Sequence, residues 1–200
     1  LMALYHFSVR HVSRGKGQMV VASAAYISGQ RIYDGYYNKI HDYTSKSGVV
    51  FTEILTPEYV PERMTDRETL WNEVEHVERN NKAQLAYSFD IALQNELTLE
   101  ENIKLAKEFC QDQFVARGMI VDLAVHEGKS DNEEEPDNPH FHVLAPIRPF
   151  TEEGIWGNKQ RREYILDEDG NRVKDAKGKD MFNAVSTTGW NDPELLKEWR

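Results

Sequence analysis

The sequence predicts an α+β fold: a central antiparallel sheet of about five strands with helices packed on one face. Three observations predict it. Segments in which apolar residues alternate with a period of two are interleaved with segments of helical spacing. The alternating segments 119–126 and 140–147 are joined by a connection that is long for a hairpin and short for a helical crossover, which favours antiparallel neighbours. Finally, 200 residues of which 40% are hydrophobic and 10% aromatic can bury a sizeable core, while 29% charged residues coat the surface.

Taken in order, residues 3–12 alternate as a first strand, with Tyr5, Phe7 and Val9 on one side and Leu4, His6, Ser8 and Arg10 on the other. Gly15 and Gly17 end it. Residues 19–28 are rich in alanine and small residues with helical character, and Gly29 stops them, so Tyr26 lies on a short helix. Residues 31–47, with several tyrosines and no clean period, read as a loop or irregular hairpin, followed by a strand over 49–55. Pro57 and Pro61 mark a connection, and Leu70, Trp71, Val74 and Val77 then set a second helix within 66–79. Alternation returns over 84–93, placing Leu85, Tyr87, Phe89, Ile91 and Leu93 on one face and Asp90 on the other. Thr98 with Glu101 is a capping-box signature that opens the longest helix, in which Ile103, Leu105, Ala106, Phe109, Phe114 and Val115 are apolar and Gly118 is the stop. The last two sheet strands follow at 119–126 and 140–147. Beyond Pro149 the sequence is polar, with a turn at Asp169-Gly170-Asn171 and a short helix over 193–200.

The composition excludes several classes. No apolar run is long enough for a membrane span and no signal segment opens the chain, so the cytoplasm is the default location. The single cysteine, Cys110, falls among helical phenylalanines and reads as a buried inert thiol. A net charge of −10 argues at first sight against nucleic acid, yet residues 1–50 carry six Lys/Arg against two Asp/Glu. Arg10, Arg14, Lys16 and Arg31 in that basic quarter are the candidate phosphate contacts. The acidic run Glu133-Glu134-Glu135 reads as a solvated loop, and Trp156 as a packing residue more readily than a base-stacking one.

The chemistry concentrates in three histidines. His140 and His142 stand two apart on a strand and emerge on one face, and the period of two puts His126 on the face that an antiparallel return brings beside them. Three neutral imidazoles suit a divalent transition ion and leave coordination positions open, as in a catalytic site. Such an ion keeps its double charge and can polarise a phosphodiester. A tyrosine placed to attack phosphorus would complete a strand-transferring nuclease. Tyr26, among small residues and near the basic segment, is the candidate, although spacing alone does not separate it from Tyr33, Tyr36, Tyr37 or Tyr43.

These motifs resemble the MobA/MobL relaxases of plasmid conjugation, members of the HUH endonuclease superfamily. The matching stretches are Tyr5-His6-Phe7, Ser23-Ala24-Ala25-Tyr26 with Ser28-Gly29, Leu93 to Leu97, and Asn138-Pro139-His140-Phe141-His142, in that order. The likeness covers roughly residues 3–150, as an HUH relaxase core, and is weak over 151–200, a polar extension of the same domain. The resemblance implies site-specific nicking of single-stranded DNA at an origin of transfer, with Tyr26 joined to the 5′ phosphate. It implies that His126, His140 and His142 hold a divalent ion (Mn, Mg, Zn, Ni or Co), with relaxosome and other conjugation proteins as partners. It also implies that the chain is the N-terminal part of a longer protein. The chain departs from the pattern where many relatives carry a glutamate, in the neighbourhood of Tyr87-Ser88-Phe89-Asp90, and a proline at Gln94. Asp90 is the substitute for the acid–base role, or, like Asp122, an orienting partner of a histidine. A rolling-circle replication initiator or transposase of the same superfamily, and a non-catalytic DNA- or metal-binding module, are the alternatives.

Overall fold

Alternating segments pair where their apolar faces can be covered, and that rule orders most of the chain. A computed structural model describes residues 6–130 and 137–199, in two compact units, one running to Trp156 and one from Gly157 onward. The first contains β1 (Phe7–Ser13), α1 (Val20–Ser28), β2 (Arg31–Asp34), β3 (Lys39–Asp42), β4 (Val49–Leu55), α2 (Arg67–Val77), β5 (Gln84–Ala92), α3 (Leu99–Gln113), β6 (Val121–His126) and β7 (His140–Pro146). The second contains β8 (Gln160–Tyr164), β9 (Phe182–Ser186) and α4 (Pro193–Glu198). Leu4, Tyr5, the Glu133–Glu135 run and Arg200 lie outside the described residues. Among the described residues no helix is long and apolar enough to cross a membrane.

Five strands form one antiparallel sheet in the order β1-β5-β7-β6-β4, as the α+β reading expects. The segment 31–47 is a regular hairpin, β2 against β3, whose buried Asp34 carboxylate meets His41 Nε2 at 3.3 Å and accepts the Tyr36 and Tyr37 backbone N–H groups. The expected turn at Asp169-Gly170-Asn171 forms, with Asp167 N donating to Asn171 O at 2.9 Å, but it closes only an isolated Leu166–Arg172 bridge. The longer ladder lies further out, between β8 and β9.

The helices cover both faces of the sheet, not one. On one face α3 sets Phe114 against Phe89 and Phe109 against Phe141, at ring-centroid distances of 4.7 and 6.0 Å. On the other, α1 and α2 join Ala124, Leu144 and Ala86 in the core through Val20, Ala24, Leu70, Trp71 and Val74. The physical reason is visible in β6, where every residue is buried: a half-exposed strand would show one solvated face, and Asp122 and Ala124 are instead roofed by helix.

The helix caps follow the sequence signals. Thr98 and Glu101 form the reciprocal capping box of α3, with Cys110 buried on its inner side, where burial pushes the thiol up. Gly29 ends α1 at φ +63°, and a Cβ there would meet Val49 at 3.3 Å. The N-terminus of α1 has no side-chain cap of its own; the buried Glu75 carboxylate of α2 accepts from Val20 N at 3.1 Å instead. That carboxylate needs a counter-charge, and Arg14 supplies it at 2.5 Å.

A second buried ion pair holds α2 to the sheet. Arg67 meets both Asp122 oxygens, through Nε at 3.0 and 2.9 Å and Nη2 at 2.8 Å, and Trp71 Nε1 donates to Asp122 at 2.8 Å. Removing one member strands an unpaired charge in the core. We predict that Arg67→Ala destabilises the chain by about 3–5 kcal/mol, read from the midpoint of urea unfolding; a change below about 1 kcal/mol would mean the pair behaves as a solvated surface bridge.

Candidate metal and nucleophile site

The register of one strand pair, β6 with β7, assembles the histidines. His126 on β6 lies directly opposite His140 on β7, and Ala124 opposite His142, so all three imidazoles rise on the same face at the end of the strands. Their ring centroids are 5.2 Å (His126–His140), 4.7 Å (His126–His142) and 4.9 Å (His140–His142) apart. One ring nitrogen from each falls within a set whose members lie within 4.8 Å of one another, close enough for a single ion to bridge all three.

The hydrogen bonds of the rings favour the same reading. His126 Nε2 donates to the Ile27 carbonyl at 2.7 Å, and His140 Nδ1 donates to the Asn138 carbonyl at 2.7 Å. Tying one N–H to a carbonyl fixes the tautomer and leaves the other nitrogen's lone pair free, as a metal-ligating histidine requires. Burial also favours the neutral form of two of the rings. It lowers the pKa of His126, and it pushes that of His142 down to about 4, with Asp90 opposing and the other two histidines and Lys46 adding to the depression. Three imidazole donors, two of them with anchored N–H groups, therefore fit a divalent transition ion.

Tyr26 faces these rings from α1. Small neighbours on its helix let α1 press onto the core, with Ala24 and Ala25 fully buried, while Tyr26 stays half exposed (50%). It lines a cavity of about 600 Å³ together with His126, His140, His142, Lys46 and Lys129. It also lines an adjoining cavity of about 450 Å³ with Ser8, Arg10, Tyr43, Ser88, Asp90 and His142. Asp90 sits on β5 directly opposite His142, with Ser8 of β1 on its other side. The remaining tyrosines separate clearly: Tyr33, Tyr36 and Tyr37 belong to the β2–β3 region, and Tyr43 packs edge-on against Tyr26 at 5.4 Å.

Two candidates move to other roles. Arg14 is no phosphate contact: its guanidinium is buried, donating to the Glu75 carboxylate and to the main-chain carbonyls of Glu75, Glu78 and Asn80. Its charge is committed to the capping of α1. Asp122 is not an orienting partner of a histidine either, because Arg67 and Trp71 occupy its oxygens. Arg10 lines the second cavity, Lys16 is exposed in the turn after β1, and Arg31 is exposed on the β2 edge, 3.5 Å from Asp42. Trp156 packs on Phe150 at 4.2 Å and donates to Glu73 at 3.0 Å, a packing role. Lys46 was missed, since no motif marks it and only the fold brings its loop over α1.

With this geometry in view, the comparison with known proteins is decisive. The sequence profile of the MobA/MobL family matches residues 18–200. The chain belongs to the MobA/MobL family. The match runs to residue 200, so the segment after 150 shares in a likeness that the motifs alone place within residues 3–150. The MobA/MobL chain is 36% identical to the conjugal transfer protein TraA of Agrobacterium fabrum, over 95% of this chain and 18% of that protein. It is 34% identical to the probable mobilization protein MobA of Bifidobacterium longum, over 86% of this chain and 30% of that protein. It thus spans less than a third of the length of either relative. A solved structure described as the molecular basis of vancomycin resistance transfer in Staphylococcus aureus superposes with a TM-score of 0.80 at 34% identity, covering 99% of this chain and 87% of that one.

The donor set predicts its own metal dependence. His140→Ala should weaken Mn²⁺ or Zn²⁺ binding by at least the roughly 10–100-fold that loss of an outer-shell partner costs, measured by calorimetry or by metal content after dialysis. Equal metal content in variant and parent would disprove a shared site.

Proposed function

We propose that this MobA/MobL chain is a relaxase domain that cuts one strand of DNA at an origin of transfer and stays joined to the 5′ end. The observation that carries the reading is that the Tyr26 side chain opens into the same cavity as the three convergent histidines. Relatives named for conjugal transfer and mobilization favour this over a replication initiator or transposase.

A divalent ion held by His126, His140 and His142 would grip the scissile phosphate and draw charge from phosphorus as a Lewis acid. The chain's own residues do the rest. Tyr26 Oη attacks phosphorus in line, forming the tyrosyl phosphodiester as the P–O3′ bond breaks. The phenolic proton passes to Asp90, which lines the adjoining cavity beside Tyr26, and the departing O3′ takes a proton from water. The released 3′ hydroxyl can reverse the step, because one phosphodiester has been exchanged for another of similar energy. Arg10 lies along the groove on the Asp90 side and contacts the strand's phosphates, with Lys16 and Arg31 as further contacts. Proteins of the transfer machinery would bring the origin in single-stranded form.

The test is incubation of the chain with Mn²⁺ and end-labelled single-stranded oligonucleotides that tile the DNA flanking its own coding sequence. A covalent protein–DNA adduct should form, vanish with chelator, and return with added metal. Tyr26→Phe should abolish the adduct while DNA affinity holds, and an adduct persisting in that variant would remove Tyr26 from the chemistry. Asp90→Asn should slow adduct formation by about 10²–10⁴-fold with metal content unchanged; an unaltered rate would assign the proton to another acceptor.

A further inference from the structure

Lys46 touches the candidate nucleophile twice. Its ammonium donates to the Tyr26 carbonyl at 3.0 Å and stands 3.7 Å above the centroid of the Tyr26 ring. The two contacts come from one group and grip both ends of the same residue, main chain and side chain. Lys46 is on the loop between β3 and β4, twenty residues after Tyr26 in sequence, so this grip exists only because the fold returns the chain over α1. The side chain is half-buried and lines the histidine cavity with Tyr26.

A helix-capping role explains only part of this. Tyr26 lies in the last turn of α1, where a cation near an orphan carbonyl is favourable. Capping alone would not place the ammonium over the ring face. A cation there is attracted by the ring's quadrupole and restricts where the phenol can swing. Tyr43 borders the ring edge-on, so Tyr26 is held by aromatic contact on one side and by charge on another. A half-exposed tyrosine would otherwise sample its rotamers freely, and an attacking oxygen displaced by an ångström can cost a hundredfold in rate.

We propose that Lys46 is a positioning residue for Tyr26: by clamping the carbonyl and the ring together it holds the phenol over the histidine cavity. The inference rests on the reading of Tyr26 as nucleophile and deepens it.

Two measurements test it. In the metal-free chain with ring-labelled tyrosine, the Tyr26 resonance being assigned by its absence in Tyr26→Phe, Lys46→Gln should shift that resonance and speed ring motion. An unchanged Tyr26 signal would overturn the clamp without reference to activity. In single-turnover reactions with Mn²⁺ and the tiled oligonucleotides, Lys46→Gln should lower the rate of adduct formation roughly 10- to 100-fold. DNA affinity and melting temperature should stay near those of the parent, and Lys46→Arg should restore most of the rate. If affinity falls by the same factor as the rate, Lys46 is a DNA contact and the proposal fails; if the variant reacts at the parent rate, it also fails. A parent chain that forms no adduct through Tyr26 defeats the nucleophile reading, whereas a normal parent with an unaffected Lys46→Gln defeats this inference alone.

Discussion

One hydrogen bond ties the two halves of the site together: His126 Nε2 to the Ile27 carbonyl at 2.7 Å. The carbonyl belongs to the residue after Tyr26, and the ring belongs to a strand on the opposite side of the interface. The bond therefore does two things at once. It selects the His126 tautomer, freeing the other nitrogen for a ligand, and it fixes the height of α1 above the sheet within one residue of the phenol. Burial of both partners makes the bond costly to break without replacement. A shift of α1 by one turn would leave a buried donor and acceptor unpaired and carry Tyr26 out of the histidine cavity.

The layer beneath keeps that bond in place. Helix α1 is short and uncapped by its own sequence, so its position depends on what α2 presents to it. Glu75 caps its first turn, Arg14 neutralises Glu75, and Arg67 with Trp71 pins α2 to Asp122 on β6, the same strand that ends in His126. The path from β6 through Asp122 to α2, from Glu75 to α1, and back through Ile27 to His126 is a closed loop of buried polar contacts. Such contacts contribute little net stability compared with apolar packing, but their geometry is demanding, so they register the helix. Most of the free energy comes from the apolar residues around them, such as Leu70, Val74 and Leu144, which would tolerate sliding.

What the sequence makes legible is what local periodicity determines. The three histidines are readable because strand side chains alternate strictly: given an antiparallel return, His126, His140 and His142 must share a face. The capping box at Thr98, the stop at Gly29 and the burial of Cys110 are local in the same sense. Arg14 is not readable, because its acceptors lie more than sixty positions away and nothing near it in sequence marks burial. Position in a basic stretch suggests a phosphate contact, and only tertiary structure shows the charge to be spent. The second helix-covered face escapes for a related reason. Strand β6 alternates large and small, and Ala124 and Asp122 look solvated until α2 supplies Arg67 and Trp71. Lys46 escapes too, since its partner is α1 and its own loop carries no chemistry-bearing pattern.

The charge of the chain takes on meaning once committed cations are distinguished from available ones. Arg14, Arg67 and Arg148 are engaged by buried or nearly buried carboxylates, and Arg63 meets Glu73. Their charge cancels locally and adds little to the field that a polyanion meets. Arg10 instead lines a cavity beside Tyr26, while Lys46 is spent on Tyr26 itself, in a molecule whose net charge is −10. Counterion release scales with the phosphates actually neutralised, so such a surface would attract nucleic acid weakly away from the Tyr26 cavities. On the proposed reading, a strand would gain affinity chiefly by placing a phosphate beside Tyr26, where a divalent ion on the histidines would add the charge the surface lacks. On that reading, the acidic composition would shift the burden of binding onto the residues around Tyr26 and the three histidines.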